Sequence, residues 1–426
     1  MKYVAIDLGS SAIRAMAADV QENGAIRVLG VESLPADDIK YGVVEQSSGA
    51  SFKLHQAINL LRNSAKMPEI DVVSVSVGAK TIKNVNVTVN KNFGSAKIVT
   101  PQMLDDLLTE CGKKVERPDV VIFDIFPLSY HLDGNRQDEP EGQTATQIVA
   151  NYNVLYGNVH VQRKLNDCID RTGKIVEYRT VSIEALSAVV TEENERENGC
   201  ILINFGALTT SLGIYFDGVL QFMQVIPLGG QNITKDIQEL GISEASAERL
   251  KRLKGCALEY LVEDPINIQV PSSTPGNAPV VVSTQFLATI IEARLDEIMQ
   301  LIFDSIEKYR DKIGTGIIIT GNASRLNNLE DYLNDRTGFD VRVGNHNDWL
   351  APGTNEEYTD ISISQLVGTI ALVNEYRKEH PLQPKNPPKI QRGKGIKNLL
   401  TDRFMIYFDD ENPLTDKNTS AKADNK

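Results

Sequence analysis

Short apolar runs separated by tight turns open the chain. YVAIDL forms one run, and AIRAMAADV alternates between apolar and polar residues. The polar segment ENG interrupts this pattern, and AIRVLGVESL continues it. This pattern is typical of β-strands joined by turns. The next segment has helical spacing, with Leu54, Ile58 and Leu61 on one side, and the strand-like VVSVSVG follows it. Strands, a helix and a further strand in this order predict an α/β sheet.

A second block with the same pattern begins near residue 199. The strand-like runs CILINFG, SLGIYF and VLQFMQVIPLGG come before the helical NITKDIQEL; further on we predict a helix over 285–310, the buried strand GIIITG and a helix over 322–336. IDLGSSAI at 6–13 lines up with INFGALTT at 203–210, since each run ends one strand and turns into another. We interpret the pair as a duplication, although two glycine turns in unrelated hairpins would look alike.

Composition narrows the class of protein. The 426 residues are 41% hydrophobic and 24% charged, which is typical of a globular chain of several domains. A net charge of −13 argues against coating a nucleic acid. No apolar run is long enough for a transmembrane helix, and the N-terminus lacks the apolar core of a signal peptide. The four cysteines form no CxxC pair, so we expect a cytosolic protein without a zinc site or a disulfide framework.

Two stretches differ from the α/β blocks. Residues 81–157 are rich in Asn, Val and Thr and include a helical segment that begins at Pro101, which predicts an inserted subdomain. After Tyr376 the chain becomes Pro- and Lys-rich, a composition that favours an extended tether.

The segment GIKNLLTDRFMIYF at 395–408 has the spacing of an amphipathic helix, and bases outnumber acids around it. This pattern predicts a reversible contact with an anionic membrane surface. The residues expected at the membrane are Ile396, Lys397, Leu399, Leu400, Arg403, Phe404 and Tyr407. A helix or strand docked on the protein's own core is the alternative.

The first turn has the residues of a phosphate site. Gly9 lets the backbone turn sharply, and the amides of Gly9, Ser10 and Ser11 can face phosphate oxygens. Asp7, at the end of the preceding strand, can order water around a nucleotide-bound Mg²⁺. DxGS also occurs in ordinary turns, so the order of the surrounding elements is the more specific signal.

That order resembles the actin-like ATPase superfamily and, within it, the bacterial cell-division family FtsA. The motifs are IDLGSSAIRA, INFGALTTSLGIY, VIPLGGQNITKDI, ERLKRLKGCALEY, IIEARLDEI and IIITGNASRLNNLEDYL, spread over nearly the whole chain. The placement and length of 81–157 match the subdomain peculiar to FtsA, and GCAL with the tethered tail separates the chain from chaperones and sugar kinases. The resemblance implies an actin-like (ribonuclease-H-like) α/β fold of two duplicated lobes, with nucleotide between them.

The resemblance also implies ATP and Mg²⁺ as cofactors, with Asp7 facing the metal. The expected nucleotide contacts are Asp7, Gly9, Ser10, Ser11, Asn204, Gly206, Thr209, Gly230, Glu248, Lys251 and Gly321. Among them, Glu248 and Lys251 match ribose and adenine contacts, and Gly321 matches the adenine motif. From their spacing alone, Glu248 and Lys251 would instead be a solvated helix face or an ion pair with each other.

The second turn departs from the D-I-G-G-G-T pattern of the superfamily. Asn204 is neutral where that pattern has a carboxylate, and Ala207 and Leu208 add a Cβ where φ > 0 is expected, at a cost of about 1–2 kcal/mol each. Asn322 replaces a glycine more mildly, since Asn tolerates left-handed backbone. We therefore expect weakened nucleotide binding and at most a weak ATPase; the alternative is that Asn204 still binds metal through ordered water.

The same resemblance implies a partner surface. In FtsA, the subdomain that holds IIEARLDEI receives the C-terminal peptide of the tubulin-like division protein FtsZ, and Arg294 occupies the position of a contact to that acidic peptide. An internal ion pair would explain Arg294 equally well. A second basic contact of the family falls on Val280 here.

The expected subdomains are 1A over 1–80, 158–190 and 361–378, 1C over 81–157, 2A over 191–235 and 311–360, and 2B over 236–310, followed by a linker over 379–394, a membrane helix over 395–408 and a disordered tail over 409–426. The expected function is a scaffold that polymerises, binds other division proteins through 1C, and anchors FtsZ at the septum on the inner face of the cytoplasmic membrane. The alternatives are an actin-like subunit of a type IV pilus machine and an actin-fold small-molecule kinase or phosphatase.

Overall fold

The computed structural model describes residues 1–380, and strands joined by turns stand at its start, as the sequence predicts. The elements before the inserted block are β1 Lys2–Leu8, β2 Ala12–Val20, β3 Ile26–Pro35, β4 Ile39–Lys40, β5 Val43–Val44, α1 Ser47–Ser64 and β6 Val72–Val77. β1 pairs antiparallel with β2 and parallel with β6. Because α1 packs its apolar side on this sheet, Leu54 and Leu61 are buried.

The inserted block forms a separate sheet with a helix on one face. Its elements are β7 Lys83–Ile98, α2 Pro101–Val115, β8 Val120–Leu132, β9 Asn135–Gln137 and β10 Thr144–Asn158. The strands lie in the order β7-β10-β8-β9. α2 begins with Thr100 as its N-cap and Pro101 in its first turn, which is the favourable order for a helix start. Leu107, Cys111 and Ile148 are buried between the helix and the sheet.

The chain then completes the first lobe through α3 Val159–Asp170, β11 Ile175–Val181 and α4 Ser182–Val190. β11 joins the edge of the first sheet, parallel to β6, and the strand order becomes β11-β6-β1-β2-β3. α4 leads from this sheet to the second lobe.

The second lobe repeats the architecture with a different set of helices. Its elements are α5 Glu193–Asn198, β12 Cys200–Phe205, β13 Thr210–Phe216, β14 Val219–Ile226, α6 Gly230–Gln238, α7 Glu244–Lys254, β15 Asn267–Val270, β16 Val280–Ser283, α8 Thr284–Lys308, β17 Gly316–Thr320, α9 Leu329–Thr337 and β18 Val341–Val343. The main strands lie in the order β14-β13-β12-β17-β18. The last helix, α10 Ser364–Glu379, returns to the first lobe, where Asn374 accepts a hydrogen bond from the Tyr3 hydroxyl at 2.8 Å.

The two main sheets have the same strand order. In each, a meander of antiparallel strands is followed by strands that run parallel to the first one, because helices make the crossovers. The similarity of the turns at 6–13 and 203–210 therefore extends to both whole sheets.

One predicted helix is interrupted in the structure. The segment 322–336 begins with a short 3-10 turn over Asn322–Arg325, and α9 starts only at Leu329. Asn328 between them has φ +60°, a left-handed conformation that stops a helix and that Asn tolerates better than most residues. The single helix that we predict over 322–336 is therefore wrong.

The predicted membrane helix 395–408 and the tail 409–426 lie outside the described residues, and so does most of the linker. The same holds for Ile396, Lys397, Leu399, Leu400, Arg403, Phe404 and Tyr407. Up to His380, no helix has both the length and the apolar character needed to cross a bilayer.

Candidate functional site

The two glycine turns face each other across a cleft between the lobes. One turn joins β1 to β2 and the other joins β12 to β13. They line a cavity of about 110 Å³ with eight of the residues predicted for nucleotide. These are Asp7, Gly9, Ser10, Ser11, Asn204, Gly206, Thr209 and Gly321. The fold thus brings residues from distant parts of the chain to one place.

A larger cavity of about 850 Å³ adjoins the first and shares part of its wall, including Ser10, Ser11 and Gly206. The remaining predicted residues, Gly230, Glu248 and Lys251, line this second cavity. The arrangement offers a small polar chamber next to a larger one. Whether the predicted residues bind nucleotide stays a prediction.

Asp7 is the acidic group of the small cavity, and protein contacts occupy both of its oxygens. Gln365 of α10 donates its amide to Asp7 Oδ1 at 2.8 Å, and Arg14 of β2 donates to Oδ2 at 3.4 Å. The same Gln365 amide donates to Ser76 Oγ at 2.8 Å. Burial raises the pKa of Asp7, against the lowering influence of Arg14 and Gln365.

Sequence reasoning missed Arg14 and Gln365. Arg14 had a detectable signal, because it is a charged residue in an alternating apolar strand, a few positions after a phosphate-like turn. Gln365 had none, since it lies far along the chain and only the return of α10 to the first lobe brings it to Asp7.

The second turn has an ordinary backbone. Ala207 and Leu208 do not have positive φ, so the strain that we expect from their side chains is absent and that expectation is wrong. The turn is closed by Gly206, whose amide donates to the Thr209 carbonyl at 2.9 Å. A Cβ on Gly206 would lie 2.8 Å from that carbonyl oxygen, which explains why this position stays glycine.

The start of α6 is bonded to the second turn. Gly230 donates its amide to the Gly206 carbonyl at 2.9 Å, and Gln231 donates to Ala207 at 2.8 Å. The first amides of a helix are natural phosphate donors when they are free. Here the turn's own carbonyls take them, so Gly230 contributes close packing: a Cβ there would lie 2.8 Å from the Ala323 Cβ.

Glu248 and Lys251 form the ion pair that their spacing allows. Lys251 Nζ lies 2.7 Å from Glu248 Oε2 and also donates to the Gly230 carbonyl at 2.8 Å. Thr234 Oγ1 donates to Glu248 as well. Burial lowers the pKa of Lys251, although Glu248 acts in the opposite direction. The pair still faces the larger cavity, so pairing and ligand contact are compatible.

Gly321 and the residues after it close the far side of the cleft. Gly321 has φ +90°, and a Cβ there would meet the Asn204 side chain and lie 2.7 Å from the Phe205 carbonyl, so glycine is required. Asn322 does not have positive φ. Next along the chain, Arg325 forms an ion pair with Asp360 at the rim of the larger cavity and holds the pKa of that carboxyl below its usual range.

Arg294, the predicted peptide contact, is engaged within the protein. Its guanidinium donates to both carboxylate oxygens of Asp236 in α6, with Nη2 at 2.8 Å from Oδ1, and also to Glu297 one turn along α8. The internal ion pair, one of the two explanations left open by the sequence, is therefore present. Val280 begins β16.

Comparison with known proteins finds similarity to bacterial cell-division proteins. The family model described as cell division protein FtsA matches residues 201–368. FtsA of Pseudomonas aeruginosa is 26% identical over 351 residues, covering 80% of this chain and 82% of the relative. FtsA of Borreliella burgdorferi is 24% identical over 417 residues, covering 94% and 98%, and FtsA of Escherichia coli K12 is 23% identical over 394 residues, covering 89% and 91%.

Solved structures agree on the architecture. A PilM–PilN type IV pilus biogenesis complex aligns with a TM-score of 0.61 at 17% identity, covering 88% of this chain and 98% of the other. MreB5 of Spiroplasma citri bound to ADP gives 0.56 at 13% identity, covering 89% and 98%. A MamK double helical filament gives 0.51 at 11% identity, covering 88% and 98%. At these identities the likeness concerns the fold alone.

The duplicated sheets and the cleft between facing turns form an actin-like fold, which confirms the fold predicted from the sequence. The chain is similar to FtsA proteins over most of its length, and the resemblance to FtsA seen in its motifs is confirmed. These relationships support a role in cell division.

Proposed function

We propose that this chain is a division scaffold that assembles with copies of itself and holds filaments of FtsZ against the inner face of the cytoplasmic membrane at the division site. The likeness to FtsA over 94% of the chain is the observation that supports this most strongly. Relatedness over that length includes both lobes and the inserted block, which we propose as subdomain 1C and a surface for other division proteins.

Nucleotide binding in the cleft and filament formation belong to the same proposal. The fold neighbour MreB5 is described as bound to ADP in one structure and to AMPPNP in another, and MamK as a double helical filament. In this chain the two adjoining cavities would hold the phosphates and the nucleoside respectively.

The membrane contact is proposed for residues 395–408. Ile396, Leu399, Leu400, Phe404 and Tyr407 fall on one side at helical spacing. Burying apolar side chains of this size stabilises by roughly 1.5–3 kcal/mol each when burial is complete, and each base near anionic lipid adds about 1 kcal/mol. Ordering the segment costs about 1–2 kcal/mol per residue, so one copy would bind weakly and reversibly.

Vesicle co-sedimentation of the full chain tests the membrane contact. We expect sedimentation with anionic vesicles, less with neutral ones, and little for a chain ending at residue 384. Leu400→Asp should reduce binding about tenfold or more, because it puts a charge on the apolar side. Asn398→Asp adds the same charge on another side and is the matched control. Equal loss in both variants, or no binding to anionic vesicles at all, would contradict the proposal.

The FtsZ contact needs Arg294 to be available. The guanidinium is held by Asp236, so a peptide carboxylate would have to share or replace that partner. We therefore expect Arg294→Gln to weaken binding of the FtsZ C-terminal peptide about tenfold, the value of one charge-assisted hydrogen bond. Asp236→Asn should maintain or strengthen binding, because it releases the guanidinium.

A matched control is an ion pair that involves the same helix α8. Arg336 of α9 is also held internally, by Glu292 and Asp296 of α8, and Arg336→Gln removes a similar ion pair. Fluorescence anisotropy with a labelled peptide compares the variants, and thermal unfolding monitors the fold. Unchanged affinity in Arg294→Gln, or the same loss in Arg336→Gln, would remove Arg294 from the contact.

A further inference from the structure

The small cavity of the cleft has one acid and one base in its wall. Among the lining residues that the structure describes, Asp7 and Arg14 are the two with a full charge. Arg14 also lines the larger cavity, so this residue borders both chambers. A guanidinium in this position could balance the negative charge of a phosphate.

The residues present do not fit the magnesium ion that the resemblance to ATPases implies. Magnesium prefers carboxylate oxygens that are free to bind it or to order its water. One of the two expected carboxylates is Asn204 here, and the other, Asp7, gives its oxygens to Gln365 and Arg14. Within residues 1–380, no group of three or more His, Cys, Asp or Glu side chains is arranged to hold a metal ion.

Asp7 cannot turn toward a metal without losing contacts that the fold supplies. Its side chain is only 13% exposed. Turning away would break the contacts with Gln365 and Arg14, which are the side-chain partners that the structure gives this carboxylate. The carboxylate therefore acts as part of the first lobe's structure and does not serve as a spare ligand.

Arg14, in contrast, has hydrogen-bonding capacity to spare. A guanidinium has five N–H donors, and the contact with Asp7 uses one of them at a long 3.4 Å. The structure gives Arg14 no other acceptor in the part of the chain that it describes, although the side chain is only 14% exposed. The neighbouring cations Lys251 and Arg325 are paired more closely.

We propose that Arg14, in place of a magnesium ion, supplies the positive charge that holds the phosphates of a nucleotide, so that binding does not require a divalent metal. The inference rests on the proposed binding of nucleotide in the cleft. Arginine suits this role because its planar fork matches two phosphate oxygens at once. The amides of the first turn complete the cradle beside it.

Calorimetry with ADP on the full-length chain tests the inference without any variant. Titrations in excess EDTA and in excess MgCl₂ should give Kd values within about threefold of each other, which is under 1 kcal/mol. Weakening by more than about tenfold on metal removal would overturn the inference. Absence of ADP binding in both buffers would also overturn it, while leaving the vesicle test of the scaffold role unaffected.

Variants then locate the positive charge. Arg14→Ala should weaken ADP binding about tenfold or more in both buffers, and Arg14→Lys should recover part of it, because a point charge replaces the fork. Arg171→Ala removes an exposed arginine of the same lobe and is the matched control. Unchanged affinity in Arg14→Ala, with thermal unfolding confirming a folded chain, would overturn the role of Arg14.

The last variant restores the missing carboxylate. Asn204→Asp puts an acid next to the cavity on the second lobe, where a hydrated metal ion could use it. We expect this variant to bind ADP more weakly in EDTA and to regain affinity with MgCl₂, so that a metal dependence appears where the parent has none. Equal behaviour of variant and parent in both buffers would show that Asn204 does not determine the metal dependence, which contradicts the inference.

Discussion

The two turns that face the cleft are built from the same hairpin but differ in chemistry. In the first lobe, Asp7 and Arg14 are direct neighbours across β1 and β2. At the corresponding place in the second lobe, Asn204 and Ser211 are neighbours across β12 and β13. An ion pair in one lobe thus corresponds to an amide and a hydroxyl in the other. The duplicated fold has kept the backbone of the site while its charge is concentrated in the first lobe.

The parallel neighbours of these strands differ in the same way. Ser76 of β6 lies beside Asp7 and accepts the Gln365 amide at 2.8 Å. Thr320 of β17 lies beside Asn204, and its buried hydroxyl has no hydrogen-bond partner in the described part of the chain. At this place the hydroxyl of the first lobe has a partner in Gln365, whereas the second lobe leaves a buried hydroxyl unsatisfied among residues 1–380. Such groups are rare in native proteins.

The largest effect that we expect concerns the ion pairs that support each lobe. Arg377 of α10 pairs with Glu177 of β11, with side chains 7% and 6% exposed, whereas Arg342 of β18 pairs with Glu195 of α5 at 41% and 13%. Arg377→Met should lower the free energy of unfolding by about 3–5 kcal/mol, because it leaves a buried carboxylate unpaired. Arg342→Met should cost about 1 kcal/mol or less. Denaturant titration measures both.

A double variant separates charge from packing in that experiment. Arg377 also lies over the Tyr3 ring, at 4.2 Å from its centroid, so Arg377→Met removes a contact as well as a charge. Glu177→Gln combined with Arg377→Met should recover part of the loss, since no buried charge then remains. Equal losses from Arg377→Met and Arg342→Met would mean that the lobes do not differ in how they hold charge.

The sequence predicts the strands and turns of the two lobes better than it predicts the side-chain contacts around the cleft. Alternating apolar residues locate the strands, and Gly9 and Gly206 locate the turns, because these signals are local. The partner of Asp7 is not local: Gln365 reaches it only through the return of α10. The φ angles of Ala207 and Leu208 could not be predicted from the sequence either. A motif indicates which residue is usual at a position, but it does not indicate which backbone conformation this chain adopts there.

The junction between the lobes provides the second prediction. Glu184 of α4 accepts a hydrogen bond from the Tyr215 hydroxyl of β13 at 3.0 Å, and burial raises its pKa from 4.5 to about 7. When the pKa of a carboxyl is higher in the folded state, its contribution to the free energy of unfolding is fully present below pH 4.5. That contribution is lost as the pH rises through 7. Glu184→Gln should therefore become more stable than the parent as pH rises, by at most about 3 kcal/mol at pH 8.

Thermal or chemical unfolding between pH 4.5 and pH 8 measures this difference. The control is Tyr215→Phe, which removes the donor and leaves the carboxyl, so it should retain a pH dependence that Glu184→Gln lacks. A constant difference between Glu184→Gln and the parent across this range would show that folding does not raise the pKa of Glu184, so that the carboxyl is ionised in the folded protein at neutral pH. The junction between the lobes would then contain a buried charge, and the first turn would not differ from it in being charged.

The smallest effect that we expect tests the polar network directly. Ser76→Ala removes the hydroxyl that accepts the Gln365 amide and should lower the free energy of unfolding by about 1 kcal/mol. Thr320→Val removes a buried hydroxyl that has no partner within residues 1–380, while it keeps the shape of the side chain. The free energy of unfolding should stay the same or rise by about 1 kcal/mol, because burying the hydroxyl costs free energy that no hydrogen bond offsets.

The two substitutions form a fair pair because both positions are buried and lie beside the last polar residue of the first strand in their sheet. Each removes one hydroxyl, so the difference between them reflects mainly whether that hydroxyl had a partner. A loss in Thr320→Val as large as that in Ser76→Ala would mean that the second lobe satisfies Thr320 after all. In that case the second turn would have a polar network of its own. The neutral residues there would then have other hydrogen-bond partners, and no hydrogen bond would be missing.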